Sequence, residues 1–316
     1  MPPLFLSQEK EASDLTPTTK EIFENYEIRK SRKQKTAFLD WLRPVVEQAG
    51  YPMKIEKGSL GARNVVIGDP QKAKVVFAAH YDTCVALPFP NFITPKCAAL
   101  YFLYQFALVA VILAVVLGAM ALAVWLAAEF AFAVCYVVYF GILGLLFFGP
   151  ANKHTANDNT SGVTAVIDLM NAMPQELKED AAFVLFDLEE AGLIGSGSFA
   201  AKHKKAMKEK LLVNMDCVSD GETMLFVFRK KSKAMVEKFR AAFPSDGRVE
   251  SDFATKGYVY PSDQSNFRCG VGISAMNKTK GGMLYMDKIH TKRDTVYREE
   301  NIQYLVEGCI RLTESL

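Results

Sequence analysis

The chain has 316 residues, more than one core usually needs, so one large domain or two smaller ones fit its length. Half of the residues are hydrophobic, and a net charge of only +2 predicts no nucleic-acid partner. The six cysteines form neither a CxxC pair nor a zinc-ribbon spacing, so we expect reduced thiols in a cytosolic compartment rather than a disulfide framework. Residues 1–14 lack a basic region followed by a long apolar run, so they do not predict a secretory signal.

The polar parts of the chain alternate between helix and strand patterns. Residues 17–49 predict a charged amphipathic helix, because Phe38, Leu42 and Val46 recur at helical spacing and Gly50 is a stop. Short apolar runs predict strands at 64–68, 74–79, 181–188, 211–216, 224–228 and 272–276. Helical patterns separate several of them, at 161–173, 196–210, 231–242 and 300–315. This alternation predicts a single α/β domain, with a largely parallel sheet and helices on both faces.

One segment is almost entirely apolar. Between Cys97 and Gly149 the only strongly polar side chains are Gln105 and Glu129. The uncharged runs 106–128 and 130–149 each approach or exceed the roughly 20 residues that a helix needs to cross a bilayer. We therefore predict an inserted transmembrane helical hairpin at 97–149, turning at Glu129. The alternatives are a buried helical pair or an apolar dimerisation arm, although a soluble core helix is seldom apolar on all faces.

A hairpin returns the chain to the side from which it left. Residues 1–96 and 150–316 would then form one discontinuous domain in a single compartment. Lys96, Lys153 and the basic flanking segments place that compartment in the cytoplasm by the positive-inside rule. The expected location is the plasma membrane, with two helices in the lipid bilayer and the polar domain on the cytoplasmic side.

Acidic residues and histidines collect at the predicted strand ends and in the loops beside them. They are His80, Asp82, Asp158, Glu189, Glu190, Asp216 and His290. In open α/β sheets the carboxyl ends of the strands carry the functional site, so we expect these side chains to converge. Imidazole and carboxylate groups suit zinc or a similar divalent ion. For any one of these residues alone, a cap or turn role is the competing explanation.

Two pairs suggest how such a site would be organised. His80 and Asp82 lie two apart on an extended chain and point the same way, so Asp82 is placed to orient a metal-bound imidazole. For this pair alone, a capped histidine at a strand end explains the pattern equally well. Glu189 and Glu190 would repel each other if buried without a cation. One can bind metal while the other takes a proton from metal-bound water.

Six segments occur in an order that resembles a known family. They are "AAHYDT", "NDNTSGV", "FDLEEAGLIGS", "VNMD", "SDQSNF" and "IHTKRDT". Together they resemble the zinc aminopeptidases of peptidase clan MH, which include aminopeptidase S, aminopeptidase Y and bacterial leucyl aminopeptidase. The resemblance runs from about Arg63 to the C-terminus and is interrupted by the hairpin. It implies one α/β domain around a mixed, mostly parallel sheet, and two Zn²⁺ ions, with Co²⁺ or Mn²⁺ as alternatives.

The resemblance also implies a metal-ligand set. Asp158 would bridge the two ions, His80 and Asp216 would complete one ligand set, and Glu190 and His290 the other. The peptide bond after the bridging aspartate is often cis in this family.

Further roles follow from the same resemblance. Glu189 would be the general base for a hydroxide that bridges the ions, and Asp82 the partner of the histidine. Asp263 and Tyr285 are candidate substrate-binding residues, and Gln264 stands where the family commonly has histidine.

The expected function combines these implications. We predict a membrane-anchored dinuclear zinc aminopeptidase that removes N-terminal residues from peptides. The hairpin lies between two implied ligands, His80 and Asp158, so the cleft should open beside the inner leaflet. The alternatives are another zinc amidohydrolase of the clan (a carboxypeptidase, an N-acyl amino acid deacylase or a glutaminyl cyclase) and a non-catalytic membrane scaffold.

Overall fold

The structure is a computed structural model that describes residues 15–316. Its strands are β1 Met53–Lys57, β2 Arg63–Ile67, β3 Val75–His80, β4 Ala181–Phe186, β5 Leu211–Met215, β6 Thr223–Phe228, β7 Glu250–Ala254, β8 Gly270–Lys278 and β9 Leu284–Tyr285. Its α-helices are α1 Pro17–Glu21, α2 Arg32–Gln48, α3 Ala98–Ala127, α4 Ala131–Phe148, α5 Gly162–Ala172, α6 Ile194–Lys202, α7 Val236–Ala242 and α8 Glu299–Glu314.

The strands form one mixed sheet. Eight of them follow the order β1-β2-β4-β3-β5-β8-β6-β7, and β9 pairs with β8. The four central strands β4, β3, β5 and β8 are parallel, whereas β1, β2 and β6 join through antiparallel pairs. The strand β3 precedes the apolar segment in sequence and pairs with β4 and β5, which follow it. The two flanking parts of the chain therefore share one α/β sheet, and the predicted fold class is confirmed.

Both faces of this sheet are covered, as strand alternation requires. On β3, Val75, Phe77 and Ala79 belong to the larger core cluster, which includes residues of α2, α5 and α8. Val76 and Ala78 point to the other face and join the cluster containing Phe199 of α6. Because β3 is buried along both faces, its carboxyl end is held firmly at the edge where the predicted site residues lie.

The predicted helix over 17–49 is wrong at its middle. A short helical segment ends at Tyr26, and α2 starts only at Arg32, where Ser31 and Gln34 form a capping box. Between them Arg29 is completely buried. Its Nε donates to the carbonyl oxygen of Tyr81 at 2.7 Å. A buried guanidinium needs hydrogen-bond acceptors such as this carbonyl oxygen. The chain is therefore not helical between Tyr26 and Arg32, which places Arg29 beside Tyr81.

The apolar segment folds as two helices joined by a short turn. Glu129 lies in that turn, between α3 and α4, as expected. Both helices are long and apolar enough to cross a membrane, and only 11% and 6% of their most apolar windows are buried. Trp125 is 80% exposed and Phe132 73%. The expectation of a buried helical pair is therefore wrong for the described residues, since most of this surface has no cover from the rest of the chain.

Candidate active site

The ends of three central strands bring predicted site residues to one edge. His80 is the last residue of β3, and its Cα pairs with Phe186, the last residue of β4. Glu189 and Glu190 follow β4 after a short turn, and Asp216 directly follows β5. This placement agrees with the rule for open α/β sheets.

Asp158 lies between two histidines. Its Oδ1 is 3.3 Å from His80 Nε2, and its Oδ2 is 3.0 Å from His290 Nε2. Each histidine also lies close to a second carboxylate. Asp216 Oδ1 is 3.4 Å from His80 Nε2, and Glu190 Oε2 is 3.4 Å from His290 Nε2. The five residues that the resemblance implied as ligands thus meet in one cluster, with Asp158 at its centre.

The backbone around Asp158 is held by a residue that the sequence did not single out. Asp294 accepts the backbone N–H of Asn157 at 2.8 Å and that of Asp158 at 3.0 Å. The Asp158–Asn159 peptide bond is cis, as the resemblance implied. Asn159 donates to the carbonyl oxygen of Met215 at 3.1 Å and so ties this loop to β5. A signal for Asp294 existed, because it belongs to the quoted segment "IHTKRDT".

Asp82 contacts both the histidine and the glutamate turn. His80 Nδ1 is 3.1 Å from the backbone oxygen of Asp82 and 3.7 Å from its Oδ1. The Asp82 carboxylate accepts the backbone N–H groups of Glu189 and Glu190 at 3.0 and 3.3 Å. Burial disfavours its charge, yet His80 and Lys35 outweigh burial and lower the pKa of Asp82. Asp82 therefore positions the two glutamates as well as the imidazole.

A buried ion pair supports the same turn from the other side. Lys35 of α2 pairs with Asp187, and both side chains are almost inaccessible to solvent. Asp187 also accepts the backbone N–H groups of Arg63 and Leu188, each at 2.9 Å. Because a buried charge without its partner is costly, this pair fixes the start of the turn that carries Glu189.

Positive φ angles cluster at the site. Among the described residues, five non-glycine positions have φ between 51° and 62°, and four of them are predicted site residues or lie within three residues of one. These four are Leu188, Leu193, Cys217 and His290. Such backbone is unfavourable for residues with a Cβ and persists where the surrounding structure enforces it. The chain turns sharply here to aim functional side chains into the cleft.

The burial and the shifted pKa values of the clustered groups indicate a site for a cation. Burial raises the pKa of Glu189 well above its usual range and that of Glu190 to about 8. Burial lowers the pKa of His290, but Glu190 and Asp158 outweigh it and raise this pKa to about 9. Glu190 Oε1 is buried and has no hydrogen-bond partner among the described residues. A divalent ion would supply the missing charge and the missing partner.

The donor atoms fit zinc. One set consists of His80, Asp158 and Asp216, with ligand atoms within 4.8 Å of one another. A second set of the same compactness consists of Cys84, Glu190 and His290. Imidazole, carboxylate and thiolate are the groups that bind zinc in proteins. Cys84 was not among the predicted site residues; the available signal was its position four residues after His80 in the same strand-end loop.

A cavity of about 410 Å³ contains this cluster. All five implied ligands and Glu189 line it, together with Leu193, Tyr260 and Ile289. The two candidate substrate-binding residues lie elsewhere. Asp263 is fully buried beneath the site, and Tyr285 lies in β9 with its ring 6.4 Å from that of Phe92. Neither residue is part of the cavity wall.

Gln264 has a structural role where the resembling family commonly has histidine. Its side chain accepts from Asn214 at 3.1 Å and donates to the carbonyl oxygen of Tyr260 at 2.9 Å. A Cβ built on Gly272 would come within 2.6 Å of the Gln264 side chain, so the amide fills the space against β8. Gln264 thus joins β5 to the segment that carries Tyr260 rather than facing the cavity.

Clustered histidine and carboxylate donors at the carboxyl ends of parallel strands define an α/β protein with a candidate metal centre. The chain belongs to peptidase family M28, whose model matches residues 141–305, more than half of the sequence. That match contains every implied ligand except His80, which the sheet brings to the others across the apolar segment. No significant match was found among curated protein sequences.

Solved structures share the fold at low sequence identity. The Legionella pneumophila LapA aminopeptidase is 13% identical with a TM-score of 0.57, over 100% of this chain and 74% of that one. A Bacteroides thetaiotaomicron glutaminyl cyclase is 13% identical with a TM-score of 0.57, over 94% and 95%. A Zn-dependent exopeptidase from Parabacteroides distasonis is 14% identical with a TM-score of 0.54, over 93% and 97%.

Proposed function

We propose that this chain is a membrane-anchored zinc aminopeptidase with two ions, which removes N-terminal residues from peptides. The observation that carries the proposal is the position of Asp158, whose two oxygens face two different histidines. A carboxylate in this position suits a bridge between two metal ions, and membership of a peptidase family supplies the class of reaction.

The proposed ligands divide into two sets that share Asp158. His80 and Asp216 would hold one ion, and Glu190 and His290 the other, as their distances allow. Bound zinc polarises a scissile carbonyl and makes water a stronger acid. The sheet, which contains strands from both sides of the apolar segment, supports the proposed domain organisation. In it, residues 1–96 and 150–316 form the peptidase domain, and 97–149 the inserted membrane hairpin.

Glu189 is the proposed general base. Its backbone is fixed by Asp82, and its carboxylate lies within 4.8 Å of donor atoms of His80 and Glu190. Burial raises the pKa of this carboxyl, so it holds a proton readily. Glu189 accepts a proton from the attacking water and delivers it to the amine nitrogen as the C–N bond breaks. The water oxygen forms the new bond to the carbonyl carbon, so a free amine and a carboxylate leave the site.

The lack of a cationic side chain in the described cavity wall favours an aminopeptidase over other amidohydrolases. The wall contains the carboxylates of Asp158, Glu189, Glu190 and Asp216, whose charge two zinc ions would offset, and among the described residues no lysine or arginine lines it. No side chain of this wall would therefore pair with a substrate carboxylate. A carboxypeptidase or an N-acyl amino acid deacylase instead needs a cation for the substrate carboxylate. A glutaminyl cyclase also takes a free N-terminus, so the assay must separate it.

The test is Glu189→Gln in the full chain, purified in detergent. We expect this variant to keep its zinc and to lose about 10²–10⁴-fold in kcat/KM for aminoacyl peptides, because the base is removed and the ligands remain. The matched control is Glu176→Gln at an exposed position outside the cavity, which should keep full activity.

Three results would contradict the proposal. They are full activity in Glu189→Gln, a wild-type protein with zinc content near zero, and a wild-type protein that hydrolyses only N-acyl substrates. Ring closure of N-terminal glutamine without hydrolysis of aminoacyl peptides would identify a cyclase instead. Product analysis by mass spectrometry separates these reactions.

A further inference from the structure

The wall of the active-site cavity is partly built by the apolar helices and the segment leading to them. Phe147, from the last turn of α4, lines the cavity together with the proposed ligands. Asn91 and Ile93, from the segment between β3 and α3, line it as well. The hairpin is therefore a part of the substrate site and not only an attachment.

Backbone hydrogen bonds fix both ends of the hairpin to the site. Leu87 N–H donates to the carbonyl oxygen of His290 at 2.8 Å, and Ile93 and Met286 exchange a pair of bonds at 3.0 and 2.9 Å. On the return side, Asn152 N–H donates to the carbonyl oxygen of Cys84 at 3.1 Å. The chain before α3 and the chain after α4 are thus held in one arrangement with the metal-ligand loops.

Exposed apolar side chains begin immediately beside the cavity mouth. Phe148, adjacent to Phe147, is 87% exposed, and Leu145 is 66% exposed. At the start of the other helix, Tyr104 donates to the carbonyl oxygen of Pro90 at 2.6 Å and its ring meets Phe92 edge-on at 5.5 Å. With α3 and α4 in a bilayer, the lipid interface lies at the mouth of the cavity.

We propose that the natural substrates are peptides held at the lipid surface by an apolar segment that follows their N-terminal residues. The proposal rests on the proposed aminopeptidase function and names its substrate class. Confining enzyme and substrate to one surface raises the effective concentration of the N-terminus at the cavity. Phe147 and Ile93 offer apolar contact to the residues next to the scissile bond.

The test uses the full chain in phosphatidylcholine vesicles with two substrates. Both carry the same N-terminal pentapeptide; one continues into a palmitoylated lysine, and the other ends in an unmodified lysine. We expect kcat/KM for the anchored peptide to exceed that for the soluble one by about 10²-fold. Phe147→Ala should lower kcat/KM roughly tenfold for both peptides, because they carry the same residues beside the scissile bond and lose the same apolar contact.

The matched control is Phe140→Ala, which removes an exposed ring of α4 that is not in the cavity wall. It should leave kcat/KM for both peptides unchanged. Zinc content of each variant reports whether the site has folded. Equal kcat/KM for the two peptides in wild type, or unchanged kcat/KM in Phe147→Ala, would overturn the inference while hydrolysis of the soluble peptide sustains the proposed function. Failure of the zinc-loaded chain to cleave either peptide would overturn both.

Discussion

At the scale of single residues, the proposed metal site depends most on the position of Asp158. The residue is 3% exposed, and its carboxylate faces His80 and His290 with different oxygens. Asp294 fixes the backbone on one side and Asn159 ties the loop to β5 on the other. A displacement of this loop would separate both proposed ligand sets at once, which is why so many buried polar groups converge on it.

Cys84 supplies a prediction at the same scale. Its thiol lies with donor atoms of Glu190 and His290, so we expect a cobalt-loaded chain to show a sulfur-to-cobalt charge-transfer band. Cys84→Ser should lose that band and release metal more readily. The control Cys269→Ser alters a buried thiol outside both donor sets and should keep the band. An unchanged spectrum in Cys84→Ser would show that the thiol is not a ligand.

Two carboxyl groups, those of Asp168 and Glu299, make the stability of the fold depend on pH. Asp168 of α5 accepts a hydrogen bond from Thr16 at 3.2 Å, and burial raises its pKa to about 6. Burial and the neighbouring Asp168 raise the pKa of Glu299 in α8 to about 7. Among residues 15–316, neither carboxylate forms an ion pair, and Tyr297, which bonds Thr19 and Thr164, is the other titratable group nearby.

The sign of the effect follows from these pKa values. The native state binds the Asp168 proton more tightly than the unfolded state, so its contribution to stability falls as pH rises from about 4 to 6 and stays low above that. We expect Asp168→Asn to increase the free energy of unfolding by about 1–2 kcal/mol at pH 8 and little at pH 4. The free energy of unfolding, measured in detergent at both pH values, tests this prediction, with the exposed Asp40→Asn variant as the control. Equal effects of Asp168→Asn at the two pH values would refute it.

At the scale of elements, the packing of α8 against the end of α7 depends on one glycine. A Cβ on Gly308 would come within 2.1 Å of the Phe243 ring, which is itself completely buried. Helical glycine to alanine gains up to about 1 kcal/mol in propensity, but overpacking a rigid core costs about 1–3 kcal/mol. We expect Gly308→Ala to lower the free energy of unfolding. Gly197→Ala in α6, whose Cβ would meet nothing nearer than 3.7 Å, should not. Equal stability of the two variants would contradict this account.

The observed elements also show which parts of the fold could be predicted from the sequence. The apolar runs in the sequence predicted the bounds of six strands within a few residues: β2, β3, β4, β5, β6 and β8. Buried strands can be predicted in this way because they consist mainly of hydrophobic residues. The strands β1 and β7 were missed, because "MKIEK" and "ESDFA" lie at the edges of the sheet and keep polar residues. The break at Arg29 was missed as well, since its cause is a pair of distant acceptors, the carbonyl oxygen of Tyr81 just after β3 and the hydroxyl of Thr160 in the Asp158 loop.

At the scale of the whole molecule, the proposed membrane hairpin would set the orientation of the peptidase domain relative to a bilayer. Both of its ends lie beside the metal-ligand loops, so the turn at Glu129 is at the far end of two helices of 30 and 18 residues. Lys30 donates to the carbonyl oxygen of Phe147, and Lys96 pairs with Asp252 at 2.8 Å near the other helix. Basic groups therefore lie at the base of the hairpin, which by the positive-inside rule supports the proposal that this side faces the cytoplasm.

This arrangement predicts the outcome of reporter fusions in cells. We expect a reporter inserted after Glu129 to report the outer side, and the same reporter at the C-terminus to report the cytoplasm. The physical reason is that a two-helix insertion returns the chain to its starting side. A C-terminal reporter that is active outside the cell, or both reporters on one side, would contradict the topology. A fusion within the exposed 175–177 turn of the peptidase domain is the control and should match the C-terminus.

The sequence by itself determined the alternation of strands and helices, the apolar hairpin, and a set of site residues that resembles a known peptidase family. These are local signals, carried by hydrophobic periodicity and by residue types at strand ends. Only the tertiary structure decided that Asp158 faces two histidines, that Cys84 joins the donor set, and that Phe147 belongs to the cavity wall. Each of these depends on residues far apart in the chain, and their distances follow from the packing of the whole sheet.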